Sequence, residues 1–455
     1  MYAMTSLWFE SALLPQGWVA DVRISAAAGR IAALEAGVRP EPQDERHRTG
    51  VPGMPNLHSH AFQRALAGRT ERRGASADSF WSWRELMYRF VERLEPEGFE
   101  ALTAFAFAEM LEAGFTRVGE FHYLHRDPRG SYYTDPAELA ARVAAAASDS
   151  GIALTLLPVF YAHAGFGGQP PAPRQRRFVS DPEGFARLLE GTRRALAHLP
   201  GSRLGIAPHS LRAVTPAELT AVLALGEGGP VHLHIAEQQQ EVDDCVDWCG
   251  QRPIEWLLAA AAVDERWCLV HATHATSAEL AGIAASGAVV GLCPSTEANL
   301  GDGIFPAVEL LNAQGRFGIG SDSNVRLDAA EELRLLEYSQ RLAHRARNVL
   351  ASGPGGSTGR ALFEATLRGG TQALLGPQAP VGLTVGAPCD LVALALPAPA
   401  PAGADELLDA WIFSAGRSAV DSVWSGGVKV VSGGRHYARE RLEARYAGEL
   451  RALLG

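Results

Sequence analysis

The sequence has few of the features that mark secreted or membrane proteins. Its 455 residues include five cysteines, an odd number scattered along the chain, which does not resemble a disulfide framework. No apolar run approaches the roughly 20 residues that a membrane helix needs. The N-terminal stretch contains Glu10 and lacks the basic start and apolar run of a signal peptide. We therefore expect a cytoplasmic protein that does not contact a membrane.

Positive charge is also scarce. The chain has 41 Lys and Arg residues against 51 Asp and Glu residues, which gives a formal net charge of -10 at pH 7. Nucleic-acid-binding proteins carry clustered positive charge, so no nucleic-acid partner is expected. A small anionic substrate would have to be bound by individual cationic side chains within its site.

Short apolar segments alternate with longer segments of helical spacing between about residues 51 and 325. Apolar strands that alternate with helices are typical of a parallel sheet buried on both faces. Repetition of this unit predicts an α/β fold, namely a (β/α)8 TIM-like barrel. The eight predicted strands cover residues 51–60, 115–124, 152–164, 203–211, 230–237, 267–274, 288–296 and 316–324.

The two ends of the chain follow a different pattern. Both contain short alternating segments that are broken by glycine and proline, which is typical of strands in a small β-domain. We therefore predict a small β-sandwich domain formed by residues 1–50 and 380–455. Residues 51–379 are predicted to form the barrel, as a metal-dependent hydrolase domain.

The stretch "MPNLHSHAFQRAL" places His58 and His60 at the end of the first predicted strand. Residues i and i+2 of a strand point to the same face, so the two imidazoles would converge on one point. Imidazole nitrogens are good ligands for a zinc-like ion. An isolated H-x-H pair is explained equally well by chance or by surface histidines, so the other strands must decide.

Further ionisable residues follow strands five, six and eight. The carboxyl ends of barrel strands form the active-site face, where such side chains would meet. A single member such as His232 or His274 is explained equally well by hydrogen bonding near the barrel, whereas the whole set is not. The set comprises His232, His234, Glu237, His271, His274 and Asp322.

These motifs resemble those of the amidohydrolase superfamily, specifically its mononuclear deaminase-like branch, over nearly the full chain. The resemblance implies one divalent metal ion, with zinc favoured and iron(II) as the alternative. Strand four ends in "APHSLR" without the lysine that binuclear members carboxylate, which also favours one ion. The metal ligands that the resemblance implies are His58, His60, His234 and Asp322, and the catalytic residues are His271, Glu237 and Asp322.

Three separated segments narrow the resemblance further. "MPNLHSHAFQRALAGRTE", "GEFHYLH" and "APHSLRAVTP" are similar to segments of the formimidoylglutamate deiminases of histidine degradation. That similarity implies hydrolysis of N-formimidoyl-L-glutamate to N-formyl-L-glutamate and ammonia by a homodimer. His271 would accept a proton from the attacking water, and Glu237 would relay a proton to the leaving nitrogen.

A small-molecule dicarboxylate substrate requires cations and hydrogen-bond donors in the pocket. Arginine suits a carboxylate because its planar guanidinium forms two parallel hydrogen bonds. Arg84 and Arg212 are the candidates, with His209 beside the latter. The family pattern adds Gln63 and Tyr123 as further substrate-binding residues.

Two other functions remain open from the sequence. The first is a mononuclear deaminase of the same branch that acts on a purine, a pyrimidine or another amidine. The second is a non-catalytic barrel that keeps the metal as a structural element, although such a protein would not need Glu237 and His271. The sequence also leaves open a shorter dicarboxylate, such as the aspartate analogue, as the preferred substrate.

Overall fold

The computed structural model describes residues 5–72, 80–396 and 404–454. A barrel of parallel strands forms its centre, and an eight-stranded sheet made by the two chain ends lies beside it. The strands are β1 Thr5–Leu14, β2 Gly17–Ala27, β3 Arg30–Glu35, β4 Glu45–Pro52, β5 Met54–Ser59, β6 Phe115–His122, β7 Ala153–Phe160, β8 Arg203–Leu204, β9 Ala207–Pro208, β10 Val231–Ile235, β11 Trp267–His271, β12 Val289–Leu292, β13 Arg316–Ile319, β14 Leu391–Leu394, β15 Val420–Ser425, β16 Val428–Ser432 and β17 Arg435–His436.

The helices cover the barrel and connect its strands. None of those described is both long and apolar enough to cross a membrane. They are α1 Phe80–Val91, α2 Pro96–Glu112, α3 Glu138–Ser150, α4 Pro182–Leu196, α5 Pro216–Leu225, α6 Gln239–Cys249, α7 Pro253–Ala260, α8 Ser277–Ser286, α9 Pro294–Leu300, α10 Ala307–Asn312, α11 Ala329–His344, α12 Thr358–Leu375, α13 Glu406–Ala410 and α14 Arg439–Leu454.

The predicted barrel is confirmed. Strands β5 to β8 pair in parallel, with β9 beside β7, and strands β10 to β13 form a second parallel run. Backbone bridges join the two runs on both sides: Ile206 pairs with Val231, and Ser59 pairs with Asp322. The second bridge closes the barrel between its first and last strands, which brings the histidine pair and the aspartate together.

Two of the predicted strands are interrupted in the structure. The segment 203–211 forms β8 and β9 with Gly205 between them, where a Cβ atom would lie 2.6 Å from the carbonyl oxygen of Pro230. The segment 51–60 is divided at Gly53, where a Cβ atom would lie 2.2 Å from the side chain of Thr116. At Gly53 the chain passes from β4, in the terminal sheet, to β5 of the barrel.

Side chains cap the first turns of three helices that follow barrel strands. Asp181 accepts a hydrogen bond from the Gly184 amide at the start of α4. Thr215 and Thr276 cap α5 and α8 in the same way, each paired with a glutamate three residues later. These caps end the loops above the barrel at fixed positions and so help to place the site residues that those loops carry.

The small β-domain is built from both chain termini, as predicted. Its strands follow one continuous order, β17-β16-β15-β14-β4-β1-β2-β3, and bury a separate apolar cluster that includes Phe9, Ile24 and Trp424. The last helix, α14, lies against α2 of the barrel, where the ring of Tyr446 stacks on that of Phe105 at 4.3 Å. The residue limits assigned to the two domains remain a prediction.

Candidate metal centre and active site

The predicted metal ligands lie together at the carboxyl ends of the barrel strands. Each of the four side chains offers one ligand atom, and these atoms all lie within 4.8 Å of one another. The four are His58, His60, His234 and Asp322. Nε2 of His58 is 3.0 Å from Nε2 of His234 and 3.4 Å from Oδ1 of Asp322. Nε2 of His60 is 3.3 Å from the same aspartate oxygen. Tetrahedral bonds of 2.0–2.1 Å to one ion would separate ligand atoms by roughly 3.3 Å, so the spacing fits a single ion.

Backbone carbonyl groups orient two of the histidine rings. Nδ1 of His60 lies 2.9 Å from the carbonyl oxygen of Phe121, and Nδ1 of His234 lies 3.1 Å from that of His209. Each carbonyl oxygen accepts a hydrogen bond from Nδ1–H, which leaves the Nε2 lone pair directed into the cluster. Ligating histidines are commonly fixed in this way by a second hydrogen bond.

Burial keeps the histidines of the cluster neutral, as metal ligands must be. Loss of solvent lowers the pKa of His58 to about 3 and also lowers the pKa of His60 and His234. Burial opposes ionisation of Asp322, but the hydrogen bond with His58 and the positive charge of nearby His271, whose own pKa is raised, hold the pKa of Asp322 below the usual range. Neutral imidazoles and an ionised carboxylate form a donor set that suits a divalent cation.

His271 lies beside this cluster at the end of β11. Its Nε2 atom is 3.9 Å from Oε1 of Glu237 and 3.9 Å from Oδ2 of Asp322. Its Nδ1 atom is 3.2 Å from Oε1 of Glu297. Burial opposes protonation of the ring, but the three carboxylates outweigh it and raise the pKa of His271 to about 10. Burial likewise raises the pKa of Glu237, which favours its protonated form.

Glu297 was missed from the sequence. It lies in the first turn of α9, directly after β12, and its Oε1 atom also accepts a hydrogen bond from the Cys293 amide at 2.8 Å. A carboxylate one turn beyond the end of strand seven was the available signal. Its contact with His271 could not be predicted, because His271 belongs to the preceding strand.

A pocket with about 730 Å³ of empty space opens above the cluster. All five residues predicted to bind substrate line it, whereas the fully buried His58 does not. The predicted residues on its wall are His60, Gln63, Arg84, Tyr123, His209, Arg212, His234, Glu237, His271 and Asp322.

Hydrogen bonds and charge place the polar side chains of the pocket. Nε2 of Gln63 donates to the hydroxyl oxygen of Tyr123 at 2.6 Å. Nη2 of Arg212 lies 4.0 Å from Oε2 of Glu241, a fully buried carboxylate that the sequence analysis did not single out. The same oxygen accepts a hydrogen bond from the Glu237 amide at 3.2 Å. Glu241 thus links the arginine to the loop that carries Glu237.

Two histidines of the predicted set do not join the site. Nε2 of His232 lies 3.0 Å from the carbonyl oxygen of Ala373 on α12, so this ring faces the helix layer. His274 follows the end of β11 but does not line the pocket. His232 and His234 share one face of β10, but His232 lies two residues nearer the start of the strand, where it meets α12 instead of the cluster.

Aromatic and apolar residues of the pocket wall were also missed. They come from α1, from the end of β7 and from the loop that follows it, and a sequence alone does not show that these segments meet. They include Trp83, Met87, Tyr88, Tyr161 and Phe178.

Comparison with known families covers almost the whole chain. The model of the amidohydrolase family matches residues 49–430. The model of the N-terminal domain of formimidoylglutamate deiminase HutF matches residues 4–48. The second match covers much of the N-terminal half of the small β-domain.

Individual proteins and solved structures are also similar to this chain over almost its whole length. The chain is 52% identical to the formimidoylglutamate deiminase of Pseudomonas aeruginosa, over 99% of this chain and 100% of that protein. The crystal structure of an amidohydrolase from Brucella melitensis superposes with a TM-score of 0.96 at 54% identity, covering 99% of this chain and 100% of that one. The crystal structure of an adenosine deaminase from Xanthomonas campestris with bound zinc gives 0.81 at 25% identity, covering 99% and 98%.

Proposed function

We propose that this chain, which belongs to the amidohydrolase family, hydrolyses N-formimidoyl-L-glutamate to N-formyl-L-glutamate and ammonia. The observation that carries the proposal is the pocket itself. Arg84 and Arg212 line the same cavity as the histidine and aspartate cluster, so a dicarboxylate bound there would place its amidine beside the cluster. The identity with the Pseudomonas aeruginosa deiminase supports the same substrate.

The proposed cofactor is one divalent ion, Zn²⁺ or alternatively Fe²⁺, held by the ligand set described above. A bound ion would lower the pKa of water, polarise the amidine and oppose the effect of the carboxylates on His271. The zinc in the Xanthomonas campestris structure supports this choice of metal. The sequence "APHSLR" at strand four, which lacks lysine, supports a single ion.

The side chains beside the cluster can move the protons that the reaction requires. Water adds to the formimidoyl carbon, and the bond from that carbon to the terminal nitrogen breaks to release ammonia. Nε2 of His271 faces Asp322 and Glu237, so it can accept a proton where water would attack. Glu237, whose raised pKa favours a protonated carboxyl group, can deliver a proton to the leaving nitrogen.

The remaining predicted residues would hold the substrate in place. The carboxylates would bind Arg84 and Arg212, with His209 next to the latter. Oε1 of Gln63 is buried and has no hydrogen-bond partner among the described residues, so it can accept a hydrogen bond from a substrate N–H group. Tyr123 would fix that amide through the 2.6 Å hydrogen bond between them.

A homodimer in the cytoplasm belongs to the same proposal. The family resemblance supports both, as does the metabolic reaction proposed here. Size-exclusion chromatography with light scattering of the purified protein tests the oligomeric state, since a homodimer would give a mass of about twice the 48.4 kDa of one chain.

The decisive experiment measures ammonia release from N-formimidoyl-L-glutamate, with the aspartate analogue, cytosine and guanine as comparisons and with metal content determined on the same sample. We expect the glutamate compound to be preferred. A preference for cytosine or guanine would replace the proposal with that of a nucleobase deaminase. Metal retention without turnover of any amidine would indicate a non-catalytic barrel.

The variant Glu237→Gln tests the proton relay within that assay. It keeps the size of the side chain and removes the acidic proton, so turnover should fall by about 100-fold or more while the metal content stays that of the original protein. Near-normal ammonia release from a metal-loaded Glu237→Gln protein would exclude the relay.

A further inference from the structure

Gln175 is held in one orientation at the edge of the pocket. It ends the short helical turn Pro173–Gln175 and is buried, and its Oε1 atom accepts a hydrogen bond from the Ala172 amide at 2.7 Å. That bond makes Oε1 the acceptor side of the amide, so Nε2 must be the donor side. Nε2 lies 2.5 Å from the hydroxyl oxygen of Tyr161 and 3.4 Å from that of Tyr88.

The direction of these hydrogen bonds determines where the phenolic hydrogens can point. Each hydroxyl oxygen accepts from Gln175, so each O–H hydrogen is left for another acceptor. Among the described residues, none accepts a hydrogen bond from Tyr88 or Tyr161, and both rings line the pocket. Burial raises the pKa of Tyr161, which keeps its hydroxyl protonated as a donor. The pocket therefore presents two hydroxyl donors without an acceptor in the part of the chain that the structure describes.

Positive charge lies next to these donors. The guanidinium of Arg84 is 5.7 Å from the ring centre of Tyr88. The ring of Tyr161 meets that of His209 edge to face at 4.8 Å, and the charge of Arg212 acts on both side chains. Hydroxyl donors combined with guanidinium groups fit an oxyanion such as a carboxylate. Phenylalanines would fill the same wall space but would give Gln175 nothing to bind.

We propose that Tyr88 and Tyr161, aligned by Gln175, donate hydrogen bonds to one carboxylate of the substrate and so help the pocket to select a diacid. This inference rests on the proposed function, because it assigns two further specificity residues to that site. It also gives a role to Gln175, which does not line the pocket and acts through the two tyrosines.

The test compares Tyr88→Phe and Tyr161→Phe on three substrates. These are N-formimidoyl-L-glutamate and the N-formimidoyl derivatives of 4-aminobutyrate and 2-aminobutyrate, each of which lacks one carboxylate. We expect each variant to lower kcat/KM for the diacid roughly 10- to 100-fold, mainly through KM, as is usual for a hydrogen bond to a charged group. Kinetics on the analogue without the contacted carboxylate should be nearly unchanged. Where turnover of an analogue is too slow, its Ki against the diacid replaces kcat/KM.

Tyr132→Phe is the matched control. The hydroxyl of Tyr132 is buried, has no hydrogen-bond partner among residues 5–72, 80–396 and 404–454, and lies outside the pocket, so its removal should leave the kinetics on all three substrates unchanged. An equal loss on all three substrates for Tyr161→Phe would assign it a packing role and overturn the proposal. Unchanged kinetics on the diacid for both Tyr88→Phe and Tyr161→Phe would also overturn the proposal.

Gln175→Glu reverses the polarity of the contact. The carboxylate can still accept from the Ala172 amide, but its second oxygen would accept the phenolic hydrogens and withdraw them from the substrate. We expect the same substrate-dependent loss as for Tyr161→Phe with an unchanged melting temperature. Normal selectivity in a folded Gln175→Glu protein would show that Gln175 does not align the tyrosines.

Failure of this inference can be distinguished from failure of the proposed function. Ammonia release by the unaltered protein tests the function, whereas the ratio between substrates tests the tyrosines. If the protein does not act on the diacid, calorimetric binding of glutarate to it and to Tyr161→Phe still tests the subsite. Equal affinity of both proteins for glutarate would then overturn it.

Discussion

Oε1 of Glu297 lies 3.2 Å from Nδ1 of His271, on the ring atom that does not face Glu237 and Asp322. The carboxylate is itself held by the Cys293 amide at 2.8 Å, which fixes it at the start of α9. His271 must therefore donate through Nδ1–H, which leaves Nε2 directed toward the reaction site. The pair orients His271, the proposed base, and sets which of its nitrogens would exchange a proton with water.

We predict that Glu297→Gln lowers kcat on the order of 10- to 100-fold with little change in KM, as loss of an orienting partner usually does. The acidic limb of the kcat/KM profile should also move to lower pH. The reason is that Glu297 is one of the carboxylates that raise the pKa of His271, so its neutralisation lowers that pKa. Steady-state kinetics across pH, with metal content measured alongside, checks both effects.

An exposed glutamate, Glu183, provides the control for this variant. Glu183→Gln removes the same charge at a side chain that is 85% exposed, so its pH profile should superpose on that of the original protein. A Glu297→Gln profile that also superposes would show that the carboxylate does not act on His271.

Arg212→Ala should lower kcat/KM for the diacid by roughly 100-fold or more, since it removes a buried, charged partner of a carboxylate. The change also leaves the buried Glu241 carboxylate without its nearby cation at 4.0 Å, so the melting temperature must be measured too. Arg212→Lys keeps the charge but loses the planar fork and should recover only part of the activity. An unchanged kcat/KM for Arg212→Ala would remove this residue from the substrate site.

The parts of the site that follow from sequence are those carried at strand ends. His58, His60, His234, His271 and Asp322 all lie where a parallel barrel brings its carboxyl edges together, so spacing and strand order were enough to group them. The regular alternation of apolar strands and helices likewise predicted the barrel. Interrupted strands were missed because they depend on close backbone contacts, such as that of Gly205 with Pro230.

Residues that reach the site from loops could not be grouped in this way. Gln175 and Tyr88 are 87 positions apart and meet only because a long loop folds over α1. Glu297 depends on the start of α9, and Glu241 on the direction in which α6 leaves the loop after β10. No periodic pattern links such pairs, so their contacts are a property of the fold.

A pH-dependent loss of stability is expected from Glu120 on β6. Burial raises the pKa of this carboxyl group to about 8, whereas its value in an unfolded chain is about 4.3. The contribution of Glu120 to stability is complete at a pH below its pKa in the unfolded chain. That contribution is lost as the pH rises through its pKa in the folded protein. Between those values the folded protein holds a proton that the unfolded chain has released, so stability falls by up to about 1.4 kcal/mol per pH unit.

The variant Glu120→Gln stays neutral and should remove that slope. Its amide oxygen can still accept the hydrogen bond from Ala61 that Oε1 accepts at 2.8 Å, so any other effect adds a constant offset. The difference in urea midpoint between Glu120→Gln and the original protein should therefore increase in favour of the variant from pH 5.5 to 7.5. Parallel curves over this range would contradict a raised pKa for Glu120.

The approach of α12 to the barrel gives a prediction about folding and metal retention together. A Cβ atom on Gly369 would lie 1.9 Å from the carbonyl oxygen of Phe317 on β13, a contact that only a backbone movement can relieve. Gly369→Ala should destabilise the protein by about 3 kcal/mol or more. It should also weaken metal binding, because β13 leads directly to Asp322.

Gly448 on α14 is the matched control, because a Cβ atom there meets no described atom within 4 Å. Gly448→Ala should raise stability by about 0.5–1 kcal/mol, since alanine favours the helix and restricts the unfolded chain. Thermal unfolding and metal content of both variants check the pair. If Gly369→Ala were as stable and as rich in metal as Gly448→Ala, close packing of α12 on β13 would not be what positions Asp322.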